Sequence, residues 1–595
     1  MKKTLLYSLF ALGISATSLT SCEDMFGDFL NKQPSNELTG EQVFGDWALT
    51  EQFHFDTYNF LRHGANRINN SWLDAATDLG HTSFATGGVR TTFNIGNYYG
   101  GGGAAELTST WEHYYRGIRK CNMLINRIDN VPKPADLAEE EYNRKKTYYI
   151  SEARFLRAFF YWEMFLRYGP VPIVTEVLDP DGDLLSGYTT RPSIQDFVVN
   201  FIMDELSKCE AGLLDQTTVN EKKDQYAGQI TQPMACALYS RIALYMASPR
   251  FSAESGIDWQ DAADAAKRFI DTYGTYFSLM NEGNSPIERY TNAILNTTYT
   301  GHNSETIFFR NDGGYTRWSG ISIDSPTGEG GNGGLCPTQN LVDMYDMADG
   351  SAPFAQYDAT GAPVYNGLTP AINAASGYDD AAMWENRDPR LKATVLTHGT
   401  EWGNKRPSAI IDVTVGGRDN MVGNANNTKT GYYVCKYIPE GIINDDHSGQ
   451  ALRLWIFIRY AEILLNYAEA LNELGDPDGL VPGLLDQIRH RAGITGNVAD
   501  RTDLNTQEAM RNFIRKERTV EFAYEEHRWW DVRRWNVAVE ALSRPIYGVN
   551  VSKSGDGFTI SRKKVDDRVF KEHMYLYPIP EAEVWKTNIE NNPGW

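Results

Sequence analysis

Cationic side chains are in the minority in this 595-residue chain: 56 lysines and arginines face 77 aspartates and glutamates, a formal charge of −21. That balance argues against a broad phosphate-binding surface and so against nucleic acid as a partner; neutral or cationic ligands fit better. Cysteine is scarce too, six in all with no CxxC spacing. Cys121, Cys209, Cys236, Cys336 and Cys435 read as mostly buried thiols, with one disulfide open, in a chain too large to need stapling. Beyond the first residues no stretch approaches the roughly 20 apolar residues of a spanning helix. Even Leu454 to Leu465 is broken by Arg459 and Glu462. Catalytic signatures are missing as well. The ten histidines form no HExxH, the glycine-rich run 328–334 leads into Leu335-Cys336 instead of Gly-Lys-Ser/Thr, and there is no G-x-S-x-G elbow. Asp179, Asp181 and Asp183 open like a calcium loop, but Leu184 stands where glycine is needed and Thr190 where glutamate is needed. A turn is expected there, and no cofactor or catalytic metal is implied.

What is present begins with basic Met1-Lys2-Lys3 and an apolar run from Thr4 to Ile14, too short to span a bilayer, which reads as a secretion signal over residues 1–21. Leu19-Thr20-Ser21-Cys22 resembles the bacterial lipobox, cut just before its cysteine. Cys22 would then become an acylated N-terminus, with more than one chain needed for a stable anchor. The other reading is an ordinary secreted protein. Residues 22–40 are polar and read as a tether to a first helix near Glu41 to Leu61.

From Ala65 to Gly103 helical periodicity stops, and Asn, Gly, Thr and aromatic residues suggest a surface loop. Periodicity returns at Trp111, Tyr114, Tyr115 and Ile118, and again from Tyr142 to Tyr168. In the second run Tyr149, Ala153, Leu156, Phe160 and Met164 form one apolar stripe and Phe155, Phe159, Trp162 and Leu166 another. A helix apolar on two sides lies between neighbours, and Gly169-Pro170 ends it. Leu454 to Leu474, capped by Gly475, and Leu480 to Ala492 read as a helical hairpin of tetratricopeptide size. Between Asn281 and Gln450 the chain is rich in Gly, Asn, Asp, Ser and Thr, with short strands such as Thr306 to Arg310. Ordered loops of that extent on a helical frame are where binding sites usually lie.

Four segments now converge. They are Ser151-Glu152-Ala153-Arg154-Phe155-Leu156-Arg157-Ala158-Phe159-Phe160 with Tyr168-Gly169-Pro170-Val171-Pro172; Ile458-Arg459-Tyr460-Ala461-Glu462 through Tyr467-Ala468-Glu469-Ala470; Ile514-Arg515-Lys516-Glu517-Arg518 through Arg528-Trp529-Trp530-Asp531-Val532-Arg533-Arg534-Trp535; and Tyr577-Pro578-Ile579-Pro580 with the end Asn592-Pro593-Gly594-Trp595. Together with the lipobox they resemble the SusD/RagB family of surface nutrient-binding lipoproteins over nearly the whole mature chain. The resemblance implies a mainly α protein: four tetratricopeptide-like hairpins and a loop-rich ligand-binding half, within one compact domain. Residues 41–280 would form its N-terminal part and 281–595 its C-terminal part. It also implies an oligosaccharide ligand, a SusC-like TonB-dependent outer-membrane barrel as partner, and a lipid-anchored place on the cell surface. A peptide-binding lid of the same architecture and, from another class, a surface glycosidase are the alternatives, because fold does not fix ligand.

Glu517, Glu521 and Glu525 stand at i, i+4 and i+8, on one helix face. Glycosidase carboxylates must flank the scissile bond from opposite sides, so these acids are expected to be structural, with Arg518, Arg528, Arg533, Arg154 and Arg157 available as partners. Candidate binding residues come from loop aromatics, whose flat apolar faces match the C–H faces of sugar rings. One loop holds Arg67, Asn69, Asn70, Trp72, Asp74, Asp78, Arg90, Tyr98 and Tyr99; another holds Asn311, Asp312, Tyr315, Arg317 and Trp318. In the family resembled, aromatic platforms come from these two regions. That implies Trp72 and Trp318 first, then Tyr315 and Tyr98, with Arg90, Asp78 and Asn70 as hydroxyl partners. Trp384 and Trp402 are secondary candidates.

Overall fold

The computed structural model describes residues 39–178, 187–295, 303–311, 315–403, 410–443 and 446–595. The expected leader with Cys22, the expected tether up to residue 38, Asp179, Asp181, Asp183 and Asp312 lie outside the described residues. The expected first helix is broken: a single helical turn at Gly40–Val43 comes first, then Asp46 caps α1 (Trp47–Asp56) by accepting from Leu49 N, and a 3₁₀ turn at Thr57–Phe60 ends it. α2 (Ala105–Arg127) and α3 (Glu139–Tyr168) follow and pack on each other. Three glutamates open α3 and Arg167 closes it, complementing the helix dipole, and Gly169 at φ 70 stops it. Its two apolar stripes have the predicted consequence: residues 155–168 are all buried.

The stack continues through α4 (Asp204–Glu210), α5 (Gln232–Ala247) and α6 (Trp259–Tyr273), each packed on the one before. Ala262, Ala263, Ala265 and Ala266 on α6 are buried, as are Ala235, Ala237 and Ala243 on α5, so the two backbones can approach closely. α6 then packs on α7 (Tyr460–Glu473), which carries α8 (Val481–Arg491) and α9 (Gln507–Glu521) before α10 (His527–Arg534). Gly475 takes the expected left-handed cap, with φ 84.

The loop-rich half is threaded by paired strands, and no sheet among the described residues exceeds two strands. β1 (Gly80–Thr82) pairs with β4 (Leu335–Pro337), β2 (Thr306–Arg310) with β6 (Trp455–Arg459), and β3 (Tyr315–Arg317) with β5 (Gln450–Leu452), all antiparallel. Residues 455–459, expected to begin a helix, are therefore a strand. Their Trp-Ile-Phe-Ile run is drawn into register with residues 306–310, Trp455 opposite Arg310, and tertiary pairing overrides local periodicity. The hairpin of β7 (Ile546–Ser554) and β8 (Gly557–Asp566) is an element the periodicity did not announce. No helix among the described residues is long and apolar enough to cross a membrane. No disulfide forms among the five described cysteines, four of which are buried.

Buried ion pairs clamp the loops to the helices. Glu517 and Glu521 accept from Arg390 at 2.6 and 2.8 Å; Arg459 reaches Glu305, Glu521 and Glu525 at 2.6, 2.6 and 2.8 Å; Arg491 reaches Glu305 at 2.6 Å and also Glu521. The carboxylates are structural, as expected, but with different partners. Arg518 turns to Asp531, Arg528 to Asp78, and Arg154 and Arg157 to Glu205, while the Arg533 guanidinium lies 3.7 Å from the centre of the Trp529 ring. Burial alone would raise the Glu521 carboxyl; Arg491, Arg459 and Arg390 hold it well below the usual range. Desolvating so many charges is costly, and each is tolerated because its partners are in place.

Candidate functional site

The stretch from Ala65 to Gly103 is not the surface loop its composition suggested. Residues 71–83 are buried throughout. Trp72 is 1% exposed, donates from Nε1 to Asp324 Oδ2 at 2.9 Å, and packs edge-on against Trp455 at 5.7 Å. Neither indole face is open to a sugar, so its expected role as a stacking platform is corrected: it is a floor. Asp78 is buried in a two-point pair with Arg528, at 3.0 and 2.7 Å, leaving no hydroxyl-binding role. Tyr98 is 6% exposed, packed edge-on against Phe93 and parallel to Trp595, and is likewise core. Arg90, half-buried, sits in the turn Val89–Phe93 near Lys429, away from the other candidates. Trp384, which donates to the Tyr432 hydroxyl at 3.1 Å, and Trp402 are both buried.

Asn70 and Tyr315 do come together. They line a cleft of about 450 Å³ with His63, Ala65, Asn66, Thr316, Gly320, Ile323, Asp324 and Arg453. The chain enters from α1 through Gly64, where any Cβ would stand 1.9 Å from the Trp455 ring, so only glycine lets this backbone lie on the indole. Asn69 and Asn70 then adopt left-handed φ of 46 and 66, a conformation asparagine tolerates, and Asn70 N donates to Asn66 Oδ1 at 2.6 Å. On the facing wall, β3 holds Tyr315 56% exposed opposite Leu452. Its phenol and the amide groups of Asn70 make no hydrogen bond from their side chains among the described residues.

The floor is polar and fixed. Asp324 accepts from Trp72 Nε1 and from Leu335 N at 3.0 Å, and burial raises its carboxyl above the ordinary value. Arg453 lies 5.5 Å from the Trp72 ring centre and donates to Gly320 O at 3.2 Å. Burial, with Arg453, Arg310 and Arg67 nearby, pushes the His63 imidazole down to about 3, so the ring is neutral at physiological pH. Its Nδ1 accepts from Ala65 N at 3.1 Å, which places the ring proton on Nε2. Trp318 stands beside the cleft: it is half-buried, with one face covered by the His447 ring, parallel at 3.8 Å. Among the described residues that line the cleft Asp324 is the single carboxylate, whereas glycoside hydrolysis needs two on opposite sides of the bond.

Sequence reasoning missed His63, Asn66, Asp324 and Arg453. His63 and Asn66 lie just ahead of the residues singled out and were readable as loop polars. Arg453 reaches the cleft through the β3–β5 pairing, which no local pattern announces.

The sequence model of the SusD family matches residues 289–595, and that of starch-binding proteins associating with the outer membrane matches residues 28–244. The SusD-like protein P38 of Formosa agariphila is 24% identical over 567 residues, 91% of this chain and 93% of that one. A crystal structure of a SusD-like protein from Bacteroides fragilis superposes with a TM-score of 0.73 at 27% identity, covering 95% of this chain and 100% of that one. A second protein of that organism, a SusD-like carbohydrate-binding protein, superposes with a TM-score of 0.67 at 23% identity, covering 91% and 98%.

Proposed function

This chain belongs to the SusD family, and on that premise we propose that it captures an extracellular oligosaccharide in the cleft between residues 63–70 and 315–324 and passes it, uncleaved, to a TonB-dependent barrel. The observation that carries the reading is the lining itself: an exposed tyrosine ring beside asparagine amides, a neutral histidine and one arginine, over a rigid aromatic floor. A ring face to cover the C–H side of a sugar, with fixed donors and acceptors for its hydroxyls, is the chemistry of carbohydrate capture. Tyr315 takes the leading role. Asn70, Asn66 and Arg453 bind hydroxyls, and Trp318 shapes the rim. Asp324, the one carboxylate among the described lining residues, has both oxygens already occupied, which supports binding without hydrolysis. In this reading acyl chains on Cys22 hold the protein at the outer-membrane surface.

A glycan array probed with protein lacking residues 1–22 tests the ligand class, followed by chromatography of the bound sugar after long incubation. Saturable binding with the sugar recovered intact is expected. Binding to peptides alone, or cleavage that copurifies with the protein and disappears in an Asp324→Asn variant, would overturn it. The anchor is tested separately: Cys22→Ala should abolish incorporation of labelled palmitate, and undiminished labelling would refute it.

A further inference from the structure

A second cleft, of about 300 Å³, is lined by the part of the same strap of chain that precedes the first. Leu61 lines it and His63 lines the first; two residues of chain separate their Cα atoms by at most about 7 Å. The facing wall is shared in the same way, with Arg310 and Asn311 at the end of β2 in the second cleft and Tyr315 at the start of β3 in the first. The two clefts thus draw their linings from neighbouring residues of the same two stretches of chain.

The second cleft repeats the chemistry of the first. Phe55, at the end of α1, is 40% exposed although it is a large apolar ring, and Tyr58 stands 6.4 Å from it, tilted by 43°. Tyr58 is fixed from behind, its hydroxyl accepting from Ile230 N at 3.2 Å. Gln229 is half-buried, and its side-chain amide has no hydrogen-bond partner among the described residues. Asn59 donates from its amide to Asp56 at 2.7 Å, which leaves its carbonyl oxygen to accept. Gly228, at φ 79, lets the backbone close against Asn311, whose Cβ would be 3.0 Å from any Cβ placed there. The result is a preformed hollow with a ring wall, amides and no carboxylate among its described lining residues.

We propose that this hollow is a second sugar subsite, so that the protein takes a chain long enough to span both clefts and discriminates by length: one end of the oligosaccharide rests on Tyr315, the other on Phe55, with Gln229 and Asn59 meeting hydroxyls. The proposal rests on the reading of the first cleft as a sugar site, and its test separates the two. The strongest binder on the array is titrated calorimetrically as a ladder from disaccharide to octasaccharide against the parent, Phe55→Ala and Gln229→Ala. For the parent, affinity should climb by about fivefold or more at the length that reaches the second cleft, then level off. Both variants should lose that increment and keep the parent's affinity for the shortest sugars that bind. If affinity does not change with length, or if both variants match the parent at every length, the second subsite is overturned while the first cleft stands. Tyr315→Ala acts at all lengths in the proposed arrangement; if it has no effect where Phe55→Ala does, the reading of the first cleft fails instead.

Discussion

Residues 71–83 and 315–324 are alike in composition, each mixing tryptophan or tyrosine with aspartate, serine, threonine and glycine, yet the first stretch is buried from end to end and the second keeps all but Ile321 and Asp324 at or near the surface. The difference lies in distant partners. The carbonyls of the first are taken up by residues far along the chain: Thr77 O and Gly80 O by Arg568 at 3.2 and 2.9 Å, Leu79 O by the Tyr524 hydroxyl at 2.9 Å, and Asp78 O by Thr338 at 2.6 Å. A backbone so satisfied can leave water, and its tryptophan goes with it. The second stretch has one neighbouring strand and an arginine on Gly320 O, enough to fix its shape without covering it. Burial of a loop aromatic is thus decided by who satisfies the surrounding backbone and not by the ring.

The largest effect should come from removing one of those distant partners. Arg528→Ala leaves the buried Asp78 carboxylate without its two-point partner and should cost about 3–5 kcal/mol, read as a lowered midpoint in denaturant. Trp72→Ala should cost about as much, because it empties the floor and frees Asp324 from its indole donor. A platform tryptophan would leave stability nearly unchanged, so melting this variant distinguishes floor from platform. With Trp72→Phe most of the packing survives, and the loss should fall to about 1–3 kcal/mol for the unpaired buried carboxylate oxygen.

Acid should erode the buried ion pairs. Burial works to raise the carboxyls of Glu106 and Asp346, but Arg167 and Arg62 hold the first down to about 2, and Lys516 and Arg489 do the same for the second. A carboxylate whose folded pKa lies below its unfolded value contributes stability above the unfolded value, near 3.8–4.5. That stability is lost as pH falls toward about 2. Asp74 runs the other way. Burial and the neighbouring Glu526 raise it to about 8, so its contribution is present below its unfolded pKa and is lost as pH rises through about 8. Melting temperature should therefore fall below about pH 4.5, and Asp74→Asn should flatten the decline between about pH 4 and 8.

Much of the frame was legible because local signals agreed with tertiary ones: the double stripe of α3, Gly169 and Gly475 as stops, and the strand at 306–310. Residues 455–459 misled because a short continuous apolar run, which suits helix and buried strand alike, pairs with a strand about 150 residues away. Of the residues that composition singled out in two regions, the structure brings Asn70 and Tyr315 together in one cleft. Composition could not rank Tyr315 above Trp72, since the Asp324 carboxylate that draws the indole inward is 252 residues distant.

The smallest effects on stability, and the clearest on binding, belong to the exposed stretch. Trp318→Ala should change binding by no more than about threefold, because one face of the ring is already given to His447. Tyr315→Ala carries the central claim, that the exposed wall of the cleft holds the sugar. Its phenol is 56% exposed, so folding stability should move by less than about 0.5 kcal/mol, while one lost stacking face should weaken binding by about five- to thirtyfold. The decisive measurement is a calorimetric titration of the best array oligosaccharide against the parent and Tyr315→Ala, with both proteins melted alongside: weakened binding at an unchanged melting temperature is predicted, and equal affinities would contradict the account.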